Sequence, residues 1–264
     1  MAGTYLDKIV EHHRDRILSD PRIFESREIT PSERPSLIDA IVQHQPYGLS
    51  VIAEVKKKSP SKGLLNGSID VSEWARLYEK AGAVAISVLT DEAFFGGSLE
   101  DLENASLSTS LPLVRKDFTL CANDIGDAAE RGASCVLLIA AVLSSREIAN
   151  YIELASSLGM ASLVEVHSEE EARAVVDLGA VLIGVNQRDL RSFEVDTERA
   201  GRIASFLAGS VVTVAESGIR DSMGAQRAAE AGFDAILVGE AIVTSPDPEE
   251  TIKNLSSHPI GRSS

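Results

Sequence analysis

Glu54 and Lys56 stand two residues apart in Val51-Ile-Ala-Glu-Val-Lys-Lys-Lys-Ser-Pro-Ser-Lys-Gly63, an apolar run that ends in a Ser/Pro/Gly loop. Read as a strand with a period of two, Ile52, Glu54 and Lys56 share one face, and Val51, Ala53 and Val55 share the other. A carboxylate and an ammonium near the end of a strand covered on both sides are costly unless they pair or bind something. A structural ion pair is one reading, and a ligand site above the strand's carboxyl end is the other. The remaining charges fall the same way. Lys116 shares a face with Val114, Glu165 with Leu163, and Glu216 with Val212 and Val214, while Asn186 follows Gly184. Each closes an apolar run at its carboxyl end. Two ammoniums and several carboxylates around one mouth would push one another's pKa values apart, as an acid and base pair needs.

Such a convergence requires a fold that gathers strand ends. Four segments share a pattern of helix end, small-Gly-small and apolar run. They are Lys80-Ala-Gly-Ala-Val-Ala-Ile-Ser-Val, Arg131-Gly-Ala-Ser-Cys-Val-Leu-Leu-Ile, Leu178-Gly-Ala-Val-Leu-Ile-Gly-Val and Ala231-Gly-Phe-Asp-Ala-Ile-Leu-Val-Gly. In each, the glycine suits the residue that stops a helix before a short loop feeds a buried strand. Interleaved with them are Ser50–Lys56, Leu113–Lys116, Ala161–Val166 and Val211–Glu216. Eight strands roughly 20–35 residues apart, with helical patterns between them, are alternating β/α units. Their continuous apolar character indicates a parallel sheet covered on both faces.

Eight units in about 215 residues fit a closed (β/α)8 TIM barrel, in which alternate strands supply one layer of inward side chains. Lys56, Lys116, Glu165 and Glu216 then occupy related layers at the top. A doubly wound open sheet is the alternative, but the chain has no G-x-G-x-x-G or Walker loop. Residues 1–48 read as a helical extension packing on the barrel, with a helix from Tyr5 carrying Leu6, Ile9, Val10 and Ile17, and a second from Ser36. Pro246 to Ser264 supplies a last helix and a polar tail. With no linker in view, 1–264 reads as a single barrel domain.

Acidic residues outnumber basic ones 40 to 25 in the 264-residue chain, for a net charge of −15. That disfavours nucleic acid and anionic membrane as partners. No apolar run approaches the ~20 residues of a membrane span, and the first residues lack an apolar signal core. A soluble cytoplasmic protein is expected. Cys121 and Cys135 lack metal or redox spacing and are expected as buried thiols. His12 and His13 point about 100° apart on a helix and are assigned to a solvated face, so no metal site is expected.

Phosphate signals come late. Glu216-Ser-Gly-Ile-Arg follows the seventh strand and Val238-Gly-Glu-Ala-Ile the eighth, where small residues let backbone N–H groups approach an anion. Ser59 after the first strand adds a hydroxyl. Together these stretches point to a phosphorylated small-molecule substrate. Phe94 or Phe95, in the loop after the second strand, suits an apolar wall for a ring. Arg188 and Asp189 form either a surface pair or, through Arg188, a phosphate contact.

These stretches resemble the indole-3-glycerol phosphate synthase family of tryptophan biosynthesis. The likeness runs through Ile52–Gly63, Val88–Ser98, Arg115-Lys-Asp-Phe118, Val164-Glu-Val166, Val185-Asn-Gln-Arg-Asp-Leu190 and Ala215-Glu-Ser-Gly218. Gln187 departs from it, since many members carry Asn there. The resemblance implies a lyase. It would close the indole ring of 1-(2-carboxyphenylamino)-1-deoxyribulose 5-phosphate, with loss of carbon dioxide and water and no cofactor. It implies Lys116 as the acid on the carbonyl oxygen and Lys56 on the substrate carboxylate. It implies Glu165 as the group that stabilises positive charge or takes the last proton, with Glu54 and Asn186 holding the lysines and sugar hydroxyls. Ser59, Gly218, Gly239 and Glu240 fall at the phosphate end, with Arg188, Glu216 and Ser217 also on the substrate side. Phe95 and Leu137 would flank the ring. A sugar-phosphate isomerase on a similar barrel, or a non-catalytic barrel scaffold, are the competing readings. The sequence carries no signal for association with other tryptophan-pathway enzymes.

Overall fold

The computed structural model describes residues 4–24, 34–59, 62–188, 195–207 and 209–261. Its centre is a closed barrel of eight strands: β1 Ser50–Val55, β2 Ala85–Leu89, β3 Leu113–Lys116, β4 Cys135–Ile139, β5 Ala161–Val166, β6 Leu182–Asn186, β7 Val212–Glu216 and β8 Ala235–Val238. Neighbours pair in parallel, and β1 closes the ring by pairing with both β2 and β8. The open-sheet alternative is thereby excluded. Helices α3 Val71–Ala81, α4 Leu99–Ser106, α5 Ala122–Glu130, α6 Ser145–Ser157, α7 Glu169–Asp177, α8 Thr197–Leu207, α9 Ser222–Glu230 and α10 Pro248–Ser256 alternate with the strands.

The punctuation works as the repeat implies. Gly82, Gly132, Gly179 and Gly232 have φ between +81° and +93°, in the left-handed region that ends a helix. The strand parity also holds. Val51, Ala53 and Val55 lie in the apolar layer between barrel and helices, with Tyr78 and Phe233. Ile52 faces the barrel interior, with Val114, Leu137, Leu163 and Val214. Burying residues on both faces explains why these runs are continuous rather than alternating. β1 stops at Val55, and Lys56 stands just beyond it. A small antiparallel pair, Lys58–Ser59 with Gly63–Leu64, then folds the following loop back on itself.

Two helices precede the barrel. α1, Tyr5–Ser19, begins at a capping box of Thr4 and Asp7 and buries Leu6, Ile9, Val10 and His13. α2, Leu37–His44, starts at an N-cap Ser36. Both contribute to the cluster that fills the barrel interior. α2 lies toward the amino ends of the strands, where Gln45 just past it donates to Asp234 at 2.9 Å. α1 lies toward the carboxyl ends, where Arg16 meets Asp124 at 2.7 Å. The solvated-face expectation for the paired histidines holds for His12 and fails for His13, which is buried against Asp91 at 2.8 Å. The same 100° offset that separates the two rings turns one inward.

Cys135 is buried, and burial pushes its thiol up to about 12. Cys121 is only half-buried, because it stands at the amino cap of α5 rather than inside a strand. Among the described residues, no helix is long and apolar enough to cross a membrane.

Candidate active site

The carboxyl ends of the strands surround a cleft of about 1190 Å³, counting the open space at its mouth. Glu54, Lys56, Lys116, Glu165, Asn186 and Glu216 all line it. Four of them end the inward rows of β1, β3, β5 and β7, as the layering of a barrel requires. The Lys116 ammonium sits 3.7 Å from Glu165 Oε2 and 3.5 Å from Glu216 Oε2. Lys56 pairs with Glu54. Asn186 donates through Nδ2 to Glu165 Oε1 at 3.1 Å, leaving the other Glu165 oxygen toward Lys116.

Burial alone would lower the Lys116 ammonium, but the carboxylates of Glu216, Glu165 and Glu54 outweigh it and hold it above the ordinary lysine value. Lys116 is therefore a charged donor at neutral pH. Glu216 behaves in the opposite way. Burial pushes it up, Lys116 pulls it down, and Glu165 and Glu54 push it up again, to about 8. One member of the carboxylate set thus keeps its proton near neutrality, and the cluster does not carry its full formal negative charge.

The expected substrate-side residues line the same cleft. Phe95 and Leu137 lie on its apolar side. Phe95 belongs to a one-turn helix, Glu92–Phe95, capped by the Asp91 carboxylate. Phe94 turns away to meet Tyr5 and His12 edge-on, with ring centroids 5.8 and 5.4 Å apart. Ser59, Arg188, Ser217, Gly218, Gly239 and Glu240 line the other side. Asp189, paired with Arg188 in the sequence reading, lies outside the described residues, as do Pro60 and Ser61. The Glu240 carboxylate is engaged by Lys62, so any anion contact there falls to backbone rather than to this side chain.

Ser217 is the one described non-glycine residue with positive φ, at +63°, and Gly218 follows at +77°. A left-handed serine costs about 1–2 kcal/mol, and such strain persists where the surroundings enforce it. Here the buried Gln187 donates through Nε2 to the Ser217 carbonyl at 3.0 Å. Gln187 therefore holds the turn after β7.

Several lining residues were not singled out from sequence. Asp91 and Asp117 both face the cleft, and Thr90, Arg115 and His13 bind their carboxylates. Their signal was position, since each follows a strand end. Arg220 also lines the cleft and adds a fourth cationic side chain to Lys56, Lys116 and Arg188. His167, two residues beyond Glu165, touches that carboxylate from behind at 3.4 Å.

A closed (β/α)8 barrel with an acid–base cluster on its carboxyl rim defines the class: a barrel enzyme. A family model described as indole-3-glycerol phosphate synthase matches residues 6–255. A protein of Mycolicibacterium vanbaalenii named indole-3-glycerol phosphate synthase is 41% identical over 263 residues, covering 98% of this chain and 97% of its own. One of Parafrankia sp. with the same name is 44% identical over 231 residues, covering 86% of each chain. A solved thiamine phosphate pyrophosphorylase from Pyrococcus furiosus superposes with a TM-score of 0.60 at 21% identity, over 81% of this chain and 95% of that one, a likeness of fold alone. The chain belongs to the indole-3-glycerol phosphate synthase family.

Proposed function

We propose that this cleft closes the indole ring of 1-(2-carboxyphenylamino)-1-deoxyribulose 5-phosphate, giving indole-3-glycerol phosphate, carbon dioxide and water. The observation that carries the reading is the Lys116 ammonium held between Glu165 and Glu216, in a cleft whose apolar side is Phe95 and Leu137. The ring carbon bearing the carboxylate attacks the ribulose carbonyl, and Lys116 gives a proton to that oxygen. Loss of carbon dioxide returns the bonding pair to the ring. The hydroxyl leaves as water, taking its proton from the Lys56 ammonium, which pairs with the substrate carboxylate until carbon dioxide is lost. Glu165 takes the methylene proton, which completes the pyrrole ring.

General acid–base groups of this kind contribute ~10²–10⁴-fold each, and holding a flexible chain in its cyclising pose supplies much of the rest. Glu54 holds Lys56, and Asn186 holds Glu165. Ser59, the Ser217–Gly218 turn and Gly239 take the phosphate, with Arg188 beside them. The steps transfer protons, form and break carbon–carbon bonds and break one carbon–oxygen bond, with no external oxidant or reductant, so neither a metal nor an organic cofactor is called for. The protein works as one barrel with residues 1–48 as its extension, in the cytoplasm, on a small phosphorylated molecule rather than on nucleic acid or membrane.

An isomerase of the Cys/Asp or Asp/Asp type is disfavoured because Asp91 and Asp117 are tied to His13, Thr90 and Arg115. The test is direct. Purified protein is mixed with the carboxyphenylamino substrate, and indole fluorescence is followed. Product formation that depends on enzyme concentration is expected. Silence at high enzyme concentration would leave a scaffold as the better reading.

A further inference from the structure

His167 lies just past the end of β5 and does not line the cleft. It is largely buried, and neither ring nitrogen has a hydrogen-bond partner among the described residues. What it has is a carboxylate on each side. Nε2 is 3.4 Å from Glu165 Oε1, and Nδ1 is 3.7 Å from Glu171 Oε2. Both are separations of an ion pair rather than of a short hydrogen bond. Glu171 is itself pinned, because its Oε2 accepts the His167 backbone N–H at 2.7 Å and its own N–H goes to Ser168 Oγ at 3.1 Å.

A neutral imidazole in this place would bury two polar nitrogens for no return. A cation between two anions accounts for the arrangement. Burial alone would lower the imidazole, but its contact with Glu171 and the charges of Glu165, Glu171 and Glu216 raise it above the usual histidine value. The groups that face this ring or its partners are thus Glu165 on β5, Glu171 on α7, Glu216 on β7 and Arg199 on α8, whose charge reaches Glu171.

The two oxygens of Glu165 then have different neighbours. Oε1 is held by Asn186 at 3.1 Å and by His167 at 3.4 Å, and Oε2 faces Lys116 at 3.7 Å. We propose that His167 is a positioning residue for the reaction: wedged between Glu165 and Glu171, it fixes Oε1 of Glu165 and leaves Oε2 as the oxygen that meets the substrate and takes its proton. The wedge also places positive charge behind a base that must be ionised to act. This inference rests on the ring-closing reading.

The test uses the full chain as His167→Ala, His167→Gln and wild type, with steady-state kinetics against pH and thermal melts. His167→Ala is expected to lower kcat about 10–50-fold, with KM within about twofold, because the lost group acts through Glu165 and not on the substrate. His167→Gln keeps the volume and can donate an N–H to Oε1. It is expected to recover much of kcat at pH 8, yet to show an acid limb of the kcat profile moved upward, since a cation beside a carboxylate has gone. Glutamine also keeps the inference testable if the alanine variant folds poorly. A loss of kcat that tracks a lowered melting temperature, with the acid limb in place in both variants, would assign His167 a structural role and overturn the inference. So would unchanged kinetics in an active enzyme. A wild-type protein with no turnover overturns the ring-closing reading instead and removes this inference with it.

Discussion

Gly184 makes the room in which the Glu216 carboxyl group sits. A Cβ at position 184 would lie 2.0 Å from Glu216 Oε1 and 3.3 Å from Leu163 Cδ1. Gly239 does the same for Glu54, with its Cβ position 2.4 Å from Glu54 Oε2. Two glycines on β6 and after β8 are therefore what let carboxyl groups from β7 and β1 turn inward. Gly184→Ala should leave the barrel folded, since overpacking costs about 1–3 kcal/mol. It should lower kcat tenfold or more, because Glu216 must move and Lys116 loses the partner at 3.5 Å. A double-mutant cycle with Glu216→Ala checks the cause. The alanine at 184 should cost far less once the carboxyl group is gone. Equal cost in both backgrounds would place the effect on Leu163 and the strand instead.

Glu216 titrates near 8, well above its ordinary value of 4.5, because burial and the neighbouring carboxylates outweigh Lys116. The native state thus binds a proton that the unfolded chain has released. Stability falls as pH rises wherever the native state holds more protons, so this group erodes stability from about pH 4.5 to about 8, and no further above that. Glu216→Gln resembles the protonated form and removes that slope. Melting temperatures at pH 5.5 and 8.5 check this: the variant should gain on wild type at the higher pH. A constant difference between the two would show that Glu216 is ionised throughout.

The strand ends were legible in the sequence because each strand is covered on both faces and punctuated by a glycine. Leu113–Lys116 and Ala161–Val166 are found with the bounds read from sequence. The charges at those ends stood out for the same reason: Glu165 interrupts a run that is otherwise apolar or small. His13 was not legible. Its partner Asp91 lies 78 residues away, and nothing local separates an inward histidine from an outward one. His167 hid differently, since one residue past a strand the period of two no longer applies by rule. The Lys58–Ser59 and Gly63–Leu64 pair is too short to give a periodic signal.

Lys116 carries the ring closure in the proposed mechanism, and its variants separate charge from geometry. Lys116→Ala should lower kcat by ~10²–10⁴-fold, with KM changed much less, because the carbonyl oxygen gains its proton only in the transition state. Lys116→Arg keeps the charge but replaces a compact donor with a planar fork. It should fold as well as wild type and recover little activity. Lys56→Ala should instead raise KM as well as lower kcat, since its proposed partner is the substrate carboxylate in the ground state. Turnover that is unchanged in Lys116→Ala would remove this residue from the mechanism.

α1 reaches the ring wall through one carboxylate with two tasks. Asp91 Oδ1 accepts the N–H groups of Phe94 and Phe95, at 2.6 and 3.3 Å, and so caps the turn that presents Phe95 to the cleft. Asp91 Oδ2 contacts His13 Nε2 at 2.8 Å, while the His13 ring stacks on Phe118, with centroids 5.4 Å apart. His13→Ala leaves a buried carboxylate short of a partner and frees the turn to move. The damage falls on the wall and not on the Lys116 cluster. KM should therefore rise about 5–10-fold, about 1–1.4 kcal/mol of binding, while kcat stays within about twofold. His13→Asn can still donate to Asp91 if its shorter amide reaches it, and should lie between alanine and wild type. Steady-state kinetics over a range of substrate concentration decide the matter. A fall in kcat with KM unchanged would mean that α1 acts on the chemistry itself, through Asp117 and its neighbour Lys116, rather than on the apolar wall.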